Sequence, residues 1–447
     1  MRVLMVSHRF PPDAVAGVER YTESLSRELI EGGDEVAIVC RRPGPGPIRA
    51  VADPGAGSPD VIRLTGGGVD RDDVLHLSGA LDEAFECVLE DCGPDVVHVN
   101  HLVDLSPRFL TAARSHGAGV VMTLHDFWLP CPRITLRTPD GRLCAGPDGG
   151  RACGRDCLDA GGDAPEAGRW LLRALYARRL LDVPDGLLCP SEYVAAWFRD
   201  WGLERDRIRA VPNGIRVPRR LVDRPEPRND GTLRLAILGA VVRHKGHHVV
   251  LEALAGADVG PVTLLVHGPV GDPEYLRELR ERAAGIHGLR LRVCGSYDPD
   301  DLSLLLADVH ALVAPSIWPE TFCLVIREAL VRGVPVLTTR LGALSDSIEP
   351  GRNGFFYDHD DPPQLGSLLA RFAREPELRR RLARGAAATR VTTLAEHAVR
   401  VRDAYVEAIE RREANAGRAS AAVAELVSLE RLMSGTRTLD LALGEVA

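Results

Sequence analysis

APSIWPETFCLVIREALVRGVPVLTT, residues 314–339, holds two glutamates, Glu320 and Glu328, with seven residues between them. The apolar run HALVAPS, ending at Ser316, reads as a buried strand and IWPE as the loop that leaves it. Phe322, Val325, Ile326, Ala329 and Leu330 then recur at i, i+3, i+4, i+7 and i+8, the spacing of one helix face. Gly333 stops that helix and Pro335 opens the next apolar run, so the stretch reads strand, loop, helix, strand. A helix that starts at the carboxyl end of a parallel sheet presents free N–H groups and the positive end of its dipole, which favour an anion. Glu328 falls about five residues into the helix and off its apolar stripe, roughly 7–8 Å from the N-terminus at 1.5 Å per residue. That is the distance from a diphosphate at the helix end to a ribose. Glu320, just before the helix, reaches toward whatever the diphosphate carries. A glutamate taken alone is more often a solvated surface residue, so the surrounding residues have to decide.

Working outward, the chain of 447 residues is long for one core and suggests two or three domains. Hydrophobic residues make up 45% and charged residues 26%, the balance of a globular enzyme, and the net charge of -8 argues against nucleic acid as a main partner. No apolar run approaches the 18 residues that span a bilayer, and MRVLMVSHRF reads as a first strand rather than a signal peptide, so a cytoplasmic location is expected. Ten cysteines in a chain of this length, without a signal, are expected to be reduced. Of 55 basic side chains one is lysine, Lys245, and the rest are arginine. Whatever bias favours arginine elsewhere was resisted at that position, in the turn HKG between the strand LRLAILG and the next helix. A compact ammonium follows charge building on a phosphate oxygen better than a planar guanidinium does.

From the N-terminus, VLMVS and HRFPPDAVAGVERYTESLSRELIEGGDEVAIV read as strand, glycine-bearing loop, helix, Gly-Gly stop and strand. No G-x-G-x-x-G is present, so a dinucleotide site is not supported. Residues 43–60, rich in Pro and Gly, read as a surface loop. Strands at 61, 95 and 119 then alternate with helices over about 72–92 and after Ser106, the pattern of a parallel sheet covered on both faces. HDFWLPCPR, beginning at His125, follows the strand GVVMTL at the edge where such sheets bind ligands. Between Cys131 and Cys157 runs a polar loop carrying Cys131, Cys144, Cys153 and Cys157. Four thiols in 27 residues suit a structural zinc, free thiols or a redox pair, and the spacing leaves all three open. Helices over about 166–181 and 195–201 close the first half, and RRLVDRPEPRNDG reads as a hinge. The second half repeats the pattern with strands at 233, 262, 289 and 309. After a helix over about 394–413, Ala422, Leu426, Leu429 and Met433 line one face of a further segment, suited to docking on the domain or on a protein partner.

PSIWPETF, the seven-residue interval and EALVRGVPVLTT together resemble the donor-site signature of the family 4 retaining glycosyltransferases. HDFWLPCPR, PSEYV, VPNGI, GAVVRHKG and the segment from GLRLRVCGSYDPDD to VAPS resemble the same family, so the likeness runs with gaps from Met1 to about Ala414. The resemblance implies an α/β chain of GT-B architecture, two Rossmann-like doubly wound domains facing across a cleft. An acceptor domain spans 1–217 and a nucleotide-sugar domain 218–393, with a crossover helix at 394–415 and a helical or flexible tail at 416–447. It implies transfer of a sugar from a UDP- or GDP-linked donor to an acceptor hydroxyl with retention, without a catalytic metal. By the resemblance Lys245, Glu320 and His125 are catalytic. Glu328 meets the ribose, while Arg243, Thr321, Phe322, Cys323, Ser296, Tyr297, Gly342 and Ala343 line the donor site. Gly17 lies in the acceptor or phosphate loop. Two positions depart from the pattern: Ala16 stands for a usual glycine and Ala240 for a usual arginine, five residues before Lys245. The second departure leaves room for a non-catalytic nucleotide-sugar binder, or an epimerase, on the same fold. The helix dipole is expected to lower the Cys323 thiol pKa.

Overall fold

The computed structural model describes residues 1–14, 16–53, 59–68, 75–158, 166–217 and 224–444. The chain forms two compact units, Met1–Pro212 with Leu394–Ala447, and Asn213–Thr393. The expected hinge lies partly outside the described residues, at 219–223.

The strands of the first unit are β1 (Arg2–Ser7), β2 (Glu35–Arg42), β3 (Arg49–Ala52), β4 (Asp60–Thr65), β5 (Val96–Val99), β6 (Gly119–Thr123), β7 (Gly186–Cys189) and β8 (Ile208–Ala210). They form one sheet in the order β3-β4-β2-β1-β5-β6-β7-β8. Every pairing is parallel except β3 on β4. That edge strand sits in the stretch read as surface loop: all four of its residues are exposed, so no apolar alternation announces it. The inner strands Val3–Val6 and Val96–Val99 are continuous buried runs, as a sheet covered on both faces requires. The covering helices are α1 (Gly17–Glu31), α2 (Gly79–Cys92), α3 (Phe109–Ser115), the short α4 (Arg151–Cys153), α5 (Glu166–Leu180) and α6 (Glu192–Asp200). Ser78 and Ser191 cap α2 and α6 by accepting the N–H of Leu81 and Val194, and Gly93 ends α2 in the left-handed region.

The second unit holds β9 (Leu233–Leu238), β10 (Val262–His267), β11 (Leu289–Gly295), β12 (Ala311–Ala314), β13 (Val336–Thr338) and β14 (Gly354–Phe356), ordered β11-β10-β9-β12-β13-β14 with parallel pairings throughout. Its helices are α7 (His247–Ala255), α8 (Pro273–Ala284), α9 (Leu302–Leu305), α10 (Leu324–Leu330), α11 (Pro362–Arg374) and α12 (Pro376–Ala387). Leu235, Ile237, Val250, Leu264, Val313 and Leu369 centre the core on one face of this sheet. Helix α10 starts two residues later than the apolar spacing suggests. Cys323 takes φ 61°, in the left-handed region, and breaks the stripe before Phe322 joins it.

The chain then returns to the first unit. In α13 (Leu394–Arg411), His397, Val401, Ala404, Tyr405 and Ala408 are buried, and Tyr405 Oη lies 2.7 Å from His98 Nδ1. In α14 (Ala416–Gly444), Ala419, Ala422 and Leu426 are buried as the apolar face requires. Leu429 is only half-buried, because the neighbouring Glu430 takes the inward place. Its carboxylate accepts hydrogen bonds from Arg108 at 2.7 Å and from the Tyr176 hydroxyl at 2.8 Å.

Candidate active site

In the second sheet the order changes direction between β9 and β12: the chain runs outward from β9 to β10 and β11, then restarts on the other side at β12. Loops leaving the carboxyl ends of two such strands diverge and open a crevice. The first loop turns through a 3-10 segment, Arg243–Lys245, and the second runs from Pro315 to Cys323. They are pinned to one another. Ile317 donates its N–H to the His244 carbonyl at 3.0 Å, and Gly246, at φ 73°, lies so close that a Cβ there would stand 1.9 Å from the Pro315 oxygen. The loop after β13 closes a third side. The Ala343 N–H reaches the Glu320 carbonyl at 2.7 Å, and a Cβ on Gly342 would stand 2.2 Å from the same oxygen.

These contacts bring Lys245 and Glu320 together across 75 residues of sequence: Nζ donates to Oε1 at 2.6 Å. The Ser316 hydroxyl donates to the same oxygen at 2.5 Å, and the ammonium lies 5.4 Å from the Trp318 ring centroid. Burial, the largest single influence, would depress the Lys245 ammonium, but the Glu320 charge and hydrogen bond together with Cys323 outweigh it and its pKa is raised. Burial likewise pushes Glu320 up, and Lys245 with the Ser316 bond more than reverses the push. Both groups are therefore charged at neutral pH.

Cys323 corrects an expectation. Burial, then the Glu320 charge, pushes its thiol up to about 12, against the expected lowering. The helix behind it has only seven residues, and the dipole of so short a helix does not offset desolvation beside a carboxylate. Arg243 also goes elsewhere. Its guanidinium pairs with Glu278 on α8 at 2.5 Å and lies 4.9 Å from the Tyr275 ring centroid. Thr321 and Glu328 are half-buried and Phe322 is buried. Ser296 and Tyr297 follow the edge strand β11, Ser296 exposed and Tyr297 half-buried. Of the turn at Gly342 and Ala343, the Ala343 amide is already bonded to Glu320. Arg327 escaped the sequence reading. It is buried, donates to the Phe322 carbonyl and stacks 3.7 Å from the Phe322 ring centroid, so it holds the loop rather than facing water. Its charge in an apolar stripe was the only sign.

The first unit repeats the geometry between β1 and β5, where its sheet order reverses. His125, two residues beyond β6, is buried, with Nε2 3.4 Å from Asn100 Oδ1 and its ring edge-on to Tyr21 at 4.4 Å. Burial, reinforced by His98 and His101, holds its pKa well below the ordinary value, so it is neutral. Gly17 begins α1, exposed, with nothing within 4 Å of a Cβ added there, so no close approach demands glycine. Sequence reading missed His8 and His101, each just past a strand end. His101 Nδ1 accepts the Val103 N–H at 3.1 Å, which puts its proton on Nε2, donated to Asp126 at 3.0 Å. His8 Nε2 lies 3.2 Å from Glu19 Oε1, and burial lowers the His8 pKa to about 3.

Among the described residues no group of three His, Cys, Asp or Glu side chains is placed to hold a metal ion, and no helix is long and apolar enough to cross a membrane. A cavity of about 740 Å³ in the second unit is lined by Arg224, Leu304, His310, Gly333 and Arg379 among others. His310 and Gly333 precede β12 and β13, so it opens at the amino edge of the sheet, away from Lys245. Arg224 and Arg379 donate there to backbone carbonyls, which gives them a bracing role.

The comparisons with known proteins agree with this architecture. The family model described as Glycosyltransferase Family 4 matches residues 15–219, and that described as Glycosyl transferases group 1 matches residues 219–389. A D-inositol 3-phosphate glycosyltransferase of Xylanimonas cellulosilytica is 28% identical over 92% of this chain and 98% of its own. A sucrose-phosphate synthase from Thermosynechococcus elongatus superposes with a TM-score of 0.68 at 20% identity, covering 91% of this chain and 98% of its own. An Anabaena protein solved in complex with UDP and glucose gives 0.63 at 15% identity, over 91% and 99%. The chain belongs to the family 4 glycosyltransferases: it has the two Rossmann-like α/β units of the GT-B fold and is a glycosyltransferase that uses nucleotide-sugar donors.

Proposed function

We propose that this glycosyltransferase moves a sugar from a UDP- or GDP-linked donor to an acceptor hydroxyl with retention of anomeric configuration, and that the second unit holds the donor at the crevice between β9 and β12. The observation that carries this reading is the Lys245–Glu320–Ser316 cluster, a charged ammonium fixed by a carboxylate at a strand-order reversal. Lys245 gives one N–H to Glu320 and has two more for the departing diphosphate, where negative charge builds as the glycosidic bond breaks. That charge compensation lets the diphosphate leave without a catalytic metal. Glu320 takes both of its bonds from Lys245 and Ser316 on Oε1, and Oε2 meets a hydroxyl of the transferred sugar. Glu328, half-buried on α10, contacts the ribose. The Anabaena neighbour solved in complex with UDP favours a uridine donor.

One observation favours a second reading, a nucleotide-sugar binder without turnover. Ala240 removes a cation from the family pattern, and Arg243, the nearest replacement, is paired with Glu278. A panel of UDP- and GDP-sugars with hydroxyl acceptors separates the two. Release of nucleoside diphosphate with product of the donor's own anomeric form, read by NMR, is the expected result. Inverted product overturns retention. Donor binding by calorimetry with no release beyond the protein-free rate overturns catalysis in favour of the second reading.

A further inference from the structure

The long loop after His125 carries four thiols that the transfer reaction does not use. Its backbone folds them toward one place. A short bridge pairs Arg137 with Leu143, and the Cys144 N–H donates to the Leu136 carbonyl at 2.8 Å, which returns Cys144 toward Cys131. The chain then presses onto α5. Gly150, at φ 93°, lies so close to that helix that a Cβ would stand 2.2 Å from the Trp170 oxygen. Cys153 and Cys157 follow one helical turn apart, on one face. Cys131 and Cys153 are buried and the other two half-buried. Each of Cys131, Cys153 and Cys157 lies within the electrostatic reach of others of the set, and Cys144 within reach of all three.

Two further features point to a ligand. Backbone amides are aimed at sulfur: Gly146 donates to Cys144 Sγ at 3.4 Å, and the amides of Arg133 and Leu136 act on Cys131. Arg173 supplies the second. It is 2% exposed, donates to the Trp128 and Leu129 carbonyls just before Cys131, and faces Cys131 and Cys153; its Nε has no partner. Among the described residues no carboxylate is bonded to it, and a buried cation needs a counter-charge.

We propose that Cys131, Cys144, Cys153 and Cys157 form a structural zinc site that staples this loop to α5, with Arg173 as the cation that balances the tetrathiolate. The thiols stand near one another without enclosing a common point, so their short side chains rotate inward as the metal binds. Four thiols and one Zn²⁺ give a tetrathiolate of formal charge about −2 and release four protons, and Arg173 offsets one of the two charges. Nothing is oxidised or reduced.

The test uses the full chain purified without chelator. Plasma mass spectrometry is expected to find about one zinc per chain. Cobalt added to the stripped protein should give the thiolate charge-transfer and tetrahedral visible bands. Cys157→Ser, at a half-buried position, should lose zinc at least tenfold, while Cys294→Ser, exposed on β11, should leave the content unchanged. Arg173→Met should speed zinc loss to a chelator by about tenfold, an effect that simple packing would not produce. The proposal is overturned if the protein neither carries nor takes up zinc or cobalt and the four thiols alkylate equally with and without Zn²⁺. Disulfides among these four in the protein as purified, detected by mass before and after reduction, overturn it as well, and so does full zinc retention in Cys157→Ser.

Discussion

The two units place their polar residues at the same point of the same kind of sheet, yet fill it with opposite chemistry. Between β1 and β5 the groups are histidines that can shed charge. His8 and His125 are held neutral by burial, and His101 Nε2 is hydrogen-bonded to Asp126. Between β9 and β12 stands the chain's single lysine, kept charged by Glu320 against the pull of burial. A strand-order reversal supplies a crevice, and the side chains grafted on it decide what that crevice can hold. A fixed cation suits a diphosphate. A set of buried, internally bonded imidazoles suits hydroxyls.

Lys245→Ala breaks the contrast outright and carries the largest expected effect. Turnover should fall by roughly 10²–10³ with a smaller loss of donor affinity, the mark of an interaction that strengthens in the transition state, and Lys245→Arg should recover only part. Steady-state kinetics decide it, and an unchanged rate removes the leaving-group role. The paired replacements Glu320→Gln and Asp126→Asn come next. Glu320→Gln leaves a half-buried ammonium without its carboxylate and should cost roughly 2–3 kcal/mol of stability, whereas Asp126→Asn keeps an acceptor for the His101 hydrogen bond and should cost about 1 kcal/mol. Denaturant unfolding of both variants reads the difference, and equal costs would show that the two crevices do not differ in charge. The smallest effect is on pH. The raised Lys245 loses its charge only above its ordinary value of 10.5 and the lowered Glu320 only below 4.5, so the pair's contribution is complete between those limits and fades on either side. Donor affinity by calorimetry should vary by less than about twofold from about pH 6 to about pH 9.

Much of this was legible before any coordinates. The repeated strand and helix alternation announced two Rossmann-like units, PSIWPETF and HKG announced the second unit's crevice, and the lone lysine singled out Lys245. The edge strand β3 was not legible, because an exposed four-residue strand buries nothing and so leaves no period in the sequence. Arg327 was hidden for the opposite reason. Its burial depends on the Phe322 ring and carbonyl, which the left-handed Cys323 turns toward it. The fate of Arg243 was decided by Glu278, 35 residues on, and no local pattern links them.

By itself the sequence determined the strands and helices that bury a face, since side-chain period is a property of neighbours in the chain. It also determined that the lysine and both glutamates lie near carboxyl ends of strands. Only the tertiary structure decided that β9 and β12 are adjacent, and therefore that Lys245 and Glu320 meet. Strand order follows from covering both faces of the sheet with right-handed crossovers, a condition on the whole unit. The same holds for charge. The upward shift of Cys323 comes from burial together with the Glu320 carboxylate, and the persistence of the Lys245 ammonium from that same carboxylate acting against burial; the sequence can name those groups but not bring Lys245 and Glu320 within 2.6 Å.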